Sequence, residues 1–449
     1  MFRRILIANR GEVAVRILRT CQRMGIEAVA VASAADRDAT WLSEADAVVV
    51  LGPAAAAQSY LDQDAIIEAA IGQRCSAIHP GWGFLAENDR FASRCAAAGL
   101  TFVGPSPHHL RIMGDKELAR TTMAQLGLPV IPGSDAAIPD ATAAARAAGA
   151  IGYPVLLKAV AGGGGRGMRK VRQPSELASA FAEASAEATS AFGDGRMYVE
   201  RLIEGGRHIE VQIIADRFGN AVHLGERECS LQRRHQKVLE EGPSPGLPGA
   251  ERARILPLVA EAVGRAGYRG AGTVEMLMDR DGTLWFMEMN TRLQVEHPIS
   301  EVTTGVDLVE WQLRVAANEP LPRSQSDISV RGHAIECRIN AEDPDRDFRP
   351  SPGRIDVLEL PMGDGIRVDT HLSAGDRIPP WYDSMVAKVI VHAPCRRQAI
   401  AVMSRALAQM KIEGITTNLD MQRWILGWDA FVGGVYDTTS LESTFMQEA

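Results

Sequence analysis

The sequence predicts an α/β chain. It opens with a doubly wound parallel sheet, continues into a mixed middle region carrying a compact insert, and ends in a strand-rich part. Three observations carry this. Short apolar runs alternate with helical patterns over the first hundred residues, which is the signature of a parallel sheet covered by helices on both faces. A run of four glycines, Gly162–Gly165, interrupts two strand-like segments in the middle of the chain. Beyond about residue 330 the pattern changes to short strands punctuated by Pro and Gly turns.

Taken in order, Arg4–Ala8 is a first strand and Glu12–Arg23 has apolar residues at helical spacing. Glu27–Ala32, Asp46–Leu51 and Ser76–Ile78 continue the sheet. The first turn reads Asn9-Arg10-Gly11-Glu12 and lacks GxGxxG, so a dinucleotide site is not supported. Residues 104–134 are connective. The insert, 135–203, holds a strand at Val155–Lys158, the Gly-rich loop, a helix at Ser175–Ala191 and a strand at Met197–Ile203. Two strands span 208–229, joined at Asp216–Asn220, and a helix covers about 250–266. Thr273–Met278 and Thr283–Met289 form a hairpin turned by Asp-Arg-Asp-Gly. A helical pattern near 396–410 closes the chain. The boundaries expected are 1–114, 115–330 with the insert inside it, and 331–449.

At ~100–200 residues per domain, 449 residues make two to four packed units with ample core. A net charge of -8 argues against nucleic acid or an anionic membrane as the main partner. Six scattered cysteines without CxxC exclude a disulfide or zinc framework and suit a reducing, cytoplasmic setting. The apolar part of MFRRILIANR is too short for a signal peptide. Only six of the 48 basic residues are lysine, so a lysine marks a place where a compact ammonium is wanted rather than a planar fork. Lys116, Lys158 and Lys237 fall inside motifs. Lys170, Lys388 and Lys411 do not, and read as ordinary.

Four consecutive glycines are too costly to order as helix or strand, and suit a flap whose N–H groups close over phosphate oxygens. Gly163, Gly164, Gly165 and Gly167 belong to it, and Lys158 precedes it. A flexible surface loop is the plain alternative, and the scarce lysine tips the reading to nucleotide phosphate. The stretch 286–298 is richer still. Read as one extended strand, Glu288, Asn290, Arg292, Gln294 and Glu296 share a face. Glu288 and Asn290 are hard oxygen ligands suited to Mg²⁺ shared with phosphates, and Glu275 lies on the partner strand. Arg292 and Gln294 offer donors to a small oxyanion, with Glu296 beside them as a base. Gln232, His235 and Lys237 suggest a substrate-lining loop, while His208 alone reads as structural. Lys116, at a helix start, suits a phosphate contact or a plain exposed position. The turn around Trp82 and Gly83 reads equally as the wall of a ring-binding pocket or as a tight turn. Arg338 reads as part of a surface strand.

With these residues in view, the chain resembles the biotin carboxylases, ATP-grasp enzymes that form the first component of acyl-CoA carboxylases. The resemblance covers essentially all of the chain. It rests on IANRGE at 7–12, HPGWGFLAEN at 79–88, MGDK at 113–116, GGGGRGM at 162–168, RRHQK at 233–237, EMNTRLQVEHP at 288–298 and RINAED at 338–343. It implies an ATP-grasp fold in which 135–203 is a lid. It implies ATP held by Lys116, Lys158 and the flap, with Glu200, Leu202, Ile203, His208, Gln232, His235 and Leu277 along the nucleotide. Glu275, Glu288 and Asn290 would hold two Mg²⁺ ions, for which Mn²⁺ would substitute. Bicarbonate would lie against Lys237, Arg292, Gln294 and the Val295 backbone, with Glu296 as its base. Biotin would approach Trp82, Gly83 and Arg338, the last stabilising the biotin enolate. Trp82 stands where the family usually has Tyr.

No biotin-attachment motif occurs, Gln409-Met410-Lys411-Ile412 being the nearest, so the biotin is free or borne elsewhere. The resemblance therefore implies a biotin carboxyl carrier protein or domain and a carboxyltransferase as partners, and a homodimer. LVEWQLRVAA at 308–317 is similar to carboxylase α subunits in which further domains follow, so both a stand-alone subunit and the first domain of a longer chain stay open. A different ATP-grasp ligase and a non-catalytic nucleotide-binding subunit are the alternatives, against which Lys237, Glu296 and Arg338 speak.

Overall fold

The computed structural model describes residues 1–134, 136–160 and 167–448, with side chains to 445. The chain begins with β1 (Arg4–Ile7), α1 (Gly11–Met24), β2 (Glu27–Ser33), β3 (Ala47–Gly52), β4 (Ala77–His79) and β5 (Thr101–Phe102). These strands form one parallel sheet in the order β3-β2-β1-β4-β5. Ile5, Leu6 and Ile7 are all fully buried, which is why β1 reads as a continuous apolar run rather than an alternating one. The helix α1 buries Val13, Ala14, Ile17, Leu18 and Cys21 and stops at Gly25, whose φ of 68° is the left-handed cap that glycine adopts without strain.

The insert has its own small core. β6 (Val155–Ala159) lies between β7 (Met168–Val171) and β8 (Met197–Arg201) in an antiparallel sheet, with helices Ala141–Ile151 and Leu177–Phe192 packed against it. Its interior is Ile138, Leu157, Phe181, Met197, Val199 and small alanines. The helix expected from 175 starts two residues later, after a short turn at Pro174–Glu176.

The rest is organised by one eight-stranded antiparallel sheet. It contains β9 (Arg207–Ala215), β10 (Ala221–Arg233), β11 (Gln236–Gly242), β12 (Gly270–Met278), β13 (Leu284–Asn290) and β14 (His333–Asn340). Its order is β13-β12-β9-β10-β11-β14, followed by strands Met385–Ala393 and Ile366–Asp369. The sheet thus runs unbroken from the middle of the sequence into its C-terminal part, where helix Arg396–Gln409 covers it with Ala399, Met403, Ala406 and Leu407.

One expectation fails here. The stretch 286–298 is not a single extended strand: β13 ends at Asn290, residues 291–296 turn, and a helix occupies His297–Thr304. Pro298 supplies the reason. Lacking an N–H and fixed in φ, it suits the first turn of a helix and not a sheet interior. A bulge between Glu275 and Met276 further breaks the alternation. No helix among the described residues is long and apolar enough to cross a membrane, and no disulfide occurs among them.

Candidate functional site

A cleft of about 970 Å³ opens between the insert and the large sheet. Its floor is built by strands whose buried faces carry charge instead of apolar side chains. At its centre the Glu296 carboxylate is gripped from two sides: Oε1 accepts from Lys237 Nζ at 2.6 Å, and Oε2 accepts from Arg338 at 2.8 Å. Lys237 is supplied by β11 and also donates to Glu210 at 2.5 Å and Glu275 at 3.0 Å. Arg338, from β14, reaches Glu240 of β11 through Nε at 2.6 Å. The expectation of a surface strand around Arg338 is therefore corrected, because β14 is an interior strand and its polar face looks into the cleft.

Beneath this, Arg227 is fully buried and donates to Glu210 at 2.5 Å, to Gln212 at 2.8 Å and to Gln294 at 3.2 Å. Gln294 in turn donates to Glu275 at 3.2 Å. Burial alone would raise the Glu296 carboxyl. Lys237, Arg338 and Arg227 outweigh it and hold that group well below the ordinary carboxylate range. Glu275 is likewise brought down to about 2, against its own burial, by Lys237 and His208. Lys237 is held charged: burial opposes its proton, but Glu210, Glu275 and Glu296 push its pKa well above the usual value. Glu240 goes the other way, raised to about 7 by burial despite Arg338.

The remaining candidates lie around this centre. Glu275 and Glu288 pair in register across the β12–β13 hairpin, and Lys116, the first residue of helix Lys116–Gln125, sits 3.8 Å from Glu288. Asn290 accepts from Arg292 at 3.2 Å, and Arg292 is anchored by Glu87 at 2.8 Å. Two carboxylates and an amide oxygen on the cleft wall are a hard-oxygen donor set, and they fit Mg²⁺ shared with a phosphate. His208 meets Gln232 at 2.9 Å through Nδ1, while its buried Nε2 has no hydrogen-bond partner among the described residues. Lys158 contacts Glu200 at 2.5 Å in the insert, and both line the cleft, as do His235 and Leu277.

Leu202 and Ile203 follow β8, and the Leu202 N–H is taken by the Pro154 carbonyl at 3.0 Å. Gly167, just before β7, has φ 69°, whereas Gly163, Gly164 and Gly165 lie outside the described residues. Trp82 lines the cleft, with its indole N–H buried and unpaired among the described residues. Gly83 is exposed and is not part of the cleft lining. Gly81 sets this turn close to α1: a Cβ there would lie 2.9 Å from the Asn9 amide, which donates to the Pro80 and Trp82 carbonyls at 2.7 Å.

Sequence reading missed Glu210, Arg227, Glu240 and Lys388. Lys388 is wholly buried, not ordinary, and donates to the Val295 carbonyl at 2.8 Å. Its signal was present in the scarcity of lysine. Lys170 and Lys411 are exposed, as an ordinary reading has it.

Comparison with known proteins gives a consistent set of matches. Residues 1–110 match the family model for the biotin carboxylase N-terminal domain. Residues 115–324 match the ATP-binding domain of the carbamoyl-phosphate synthase L chain, and 336–443 match the biotin carboxylase C-terminal domain. The chain is 49% identical over 447 residues to a biotin carboxylase of a Nostoc species, covering 100% of this chain and 99% of that one. It is 52% identical over 434 residues to the biotin carboxylase of Halalkalibacterium halodurans, covering 97% and 96%. A crystal structure of biotin carboxylase from Campylobacter jejuni in a β,γ-ATP complex superposes with a TM-score of 0.94 at 47% identity, over 99% of both chains. The biotin carboxylase domain dimer of 2-oxoglutarate carboxylase from Hydrogenobacter thermophilus, solved with MgADP, ADP and bicarbonate, gives 0.92 at 45% identity, over 99% of this chain and 98% of that one.

Proposed function

The chain belongs to the biotin carboxylase family, and from that premise we propose how its cleft performs the ATP- and bicarbonate-dependent carboxylation of biotin. The observation that carries the reading is the Glu296 carboxylate held between Lys237 and Arg338 at the base of the cleft.

Lys116, Lys158 and Gly167, with the flap it ends, hold the nucleotide phosphates, and His208, Gln232, His235, Glu200, Leu202, Ile203 and Leu277 serve the nucleoside. Glu275, Glu288 and Asn290 hold Mg²⁺, which when bound neutralises phosphate charge and polarises the γ-phosphate. Bicarbonate lies against Lys237, Arg292, Gln294 and Val295. Its negative charge draws Lys237 from Glu296, so the carboxylate recovers proton affinity as its target arrives. Glu296 takes the hydroxyl proton. The freed oxygen attacks the γ-phosphorus, the bond to the ADP oxygen breaks, and carboxyphosphate results. Collapse to CO₂ and phosphate leaves phosphate to accept the ureido proton of biotin, while Arg338 stabilises the enolate with a guanidinium fixed by Glu240. Phosphoryl transfer asks for positioning and cations more than for a covalent nucleophile, in keeping with a cleft made of lysine, arginine and carboxylates.

The division at 1–114, 115–330 and 331–449, a homodimeric assembly, a carrier-borne biotin, a carboxyltransferase partner and a cytoplasmic location complete the proposal; the dimer named for the Hydrogenobacter relative and the unpaired cysteines support it. The test is ADP release by the purified chain. Release should require bicarbonate and be stimulated by free biotin. Hydrolysis indifferent to both would overturn the reading.

A further inference from the structure

Lys388 is one of six lysines and the only one fully buried among the described residues. Its position follows from sheet register. On β14, Arg338 pairs with Lys388, and Lys388 pairs with Asp369 on the outermost strand. Glu240 pairs with Glu336, two residues before Arg338. Paired residues share a face, and so do residues two apart along a strand. Glu240, Glu336, Arg338, Lys388 and Asp369 thus form one charged layer on the sheet face beneath the 291–296 turn. An ammonium in that place would be disfavoured by burial, yet it stays charged because Glu12, Glu336 and Asp369 surround it.

What the ammonium touches gives its role. It lies 2.9 Å from Glu12 on α1, 3.8 Å from Asp369, and donates to the Val295 carbonyl at 2.8 Å. The Glu12 oxygens find no hydrogen-bond donor in suitable geometry among the described residues, so the charge of Lys388 is their compensation. Asp369 has another cation, Arg367 at 2.7 Å. The Val295 carbonyl belongs to the peptide that leads directly into Glu296. One side chain from the C-terminal part therefore ties the N-terminal helix to the peptide bearing the base.

We propose that Lys388 is a positioning residue for proton abstraction: by holding the Val295 carbonyl and the Glu12 carboxylate together, it fixes the Val295–Glu296 peptide so that Glu296 and the Val295 backbone face bicarbonate. The inference rests on the reading of Glu296 as the base. Displacement of a reacting group by about 1 Å can cost on the order of 10²-fold in rate, so this hydrogen bond matters although Lys388 touches no substrate.

Lys388→Met alone leaves Glu12 as an unpaired buried charge and endangers folding, so the decisive variant is Lys388→Met with Glu12→Gln. It removes the Lys388–Glu12 pair together and leaves Asp369 its ion pair with Arg367, while the Val295 carbonyl loses its donor. Thermal unfolding, ATP affinity by equilibrium titration, and kcat and KM for bicarbonate are measured for it and for Glu12→Gln. The expected result is a fold and an ATP affinity within about twofold of the parent, with kcat/KM for bicarbonate lowered by roughly 10–100-fold. Glu12→Gln, which keeps the ammonium on Val295, should lose less than the double variant. Parental kcat and KM in a stably folded double variant would overturn the proposal, as would a folded double variant whose loss lies wholly in ATP affinity. Should the double variant not fold, Lys388→Gln with Glu12→Gln, which keeps a donor for the carbonyl, must fold and recover bicarbonate turnover; failure to recover it overturns the proposal. Full turnover by Glu296→Gln would instead show that the parent reading had failed.

Discussion

Arg338 holds the second oxygen of Glu296 at 2.8 Å, and the two residues come from different strands and turns of the chain. The same guanidinium binds Glu240 through Nε at 2.6 Å. A planar fork fixes the directions of the bonds to its two carboxylates, whereas the Lys237 ammonium acts as a compact point charge among its own. The grouping keeps Glu296 anionic and aimed before any substrate arrives.

Replacing Glu296 by Gln removes the proton acceptor and keeps the side-chain shape. Bicarbonate-dependent ADP release should fall by about 10²–10⁴-fold, the usual worth of a general base, while ATP affinity changes little. Single-turnover ADP formation alongside nucleotide titration checks both halves.

Arg338→Lys should separate the two half-steps. Lysine reaches either Glu240 or Glu296 but not both as a fork, so biotin-stimulated turnover should drop by roughly 10²-fold or more, the scale of one lost oxyanion donor. ATP hydrolysis without biotin should be affected less. Equal losses in both assays would place Arg338 in phosphoryl transfer instead.

Glu288 is half exposed beside Lys116, and Glu275 is buried beside Lys237. Glu288→Gln therefore weakens the hard-oxygen pair without opening the buried network. The Mg²⁺ concentration for half-maximal ADP release should rise at least about tenfold, with little change in melting temperature. A Mg²⁺ titration at fixed ATP measures it.

The limits of sequence reading follow from where each signal resides. β1 and β2 are legible because burial on both faces writes an apolar run into adjacent residues. The hairpin ending in Glu288 and Asn290 is legible because its turn chemistry is local. The placement of Glu296 was expected from alternation, and alternation ends at Asn290; turn and helix geometry bring the same side chain to the same cleft by another path. Glu210, Glu240 and Lys388 are different in kind. Their significance lies in pairings such as Glu240 with Glu336 and Lys388 with Arg338, which join distant stretches. Nothing local distinguishes Glu210 and Glu240 from surface charges on an amphipathic strand, whereas Lys388 is marked by its scarce residue type within an apolar run.

Arg227 offers a stability test free of catalysis. It is fully buried with Glu210 and two glutamines, so Arg227→Met removes one of the two cations that donate to Glu210 and takes a donor away from the side-chain oxygens of Gln212 and Gln294. Breaking a buried ion pair from one side costs about 3–5 kcal/mol, and denaturant unfolding should show a loss of that order. A change under about 0.5 kcal/mol would mean the network is not cohesive.

Glu240 gives a pH signature whose sign is fixed by its environment. Burial raises its carboxyl from 4.5 to about 7, with Arg338 only partly offsetting this. The folded chain then binds this proton more tightly than the unfolded chain does. The stability so gained is complete below the ordinary carboxylate range and is lost as pH rises through about 7. Glu275 and Glu296 act oppositely, their stabilisation present above the ordinary range and lost as the solution is acidified below it. Between pH 5 and 8, then, Glu240→Gln should reduce the decline of stability with pH relative to the parent, by an amount on the order of a few kcal/mol over the interval. Denaturant unfolding at several pH values, compared between the two proteins, reads this directly. Parallel curves would show that Glu240 is already ionised throughout and that Arg338 prevails over burial.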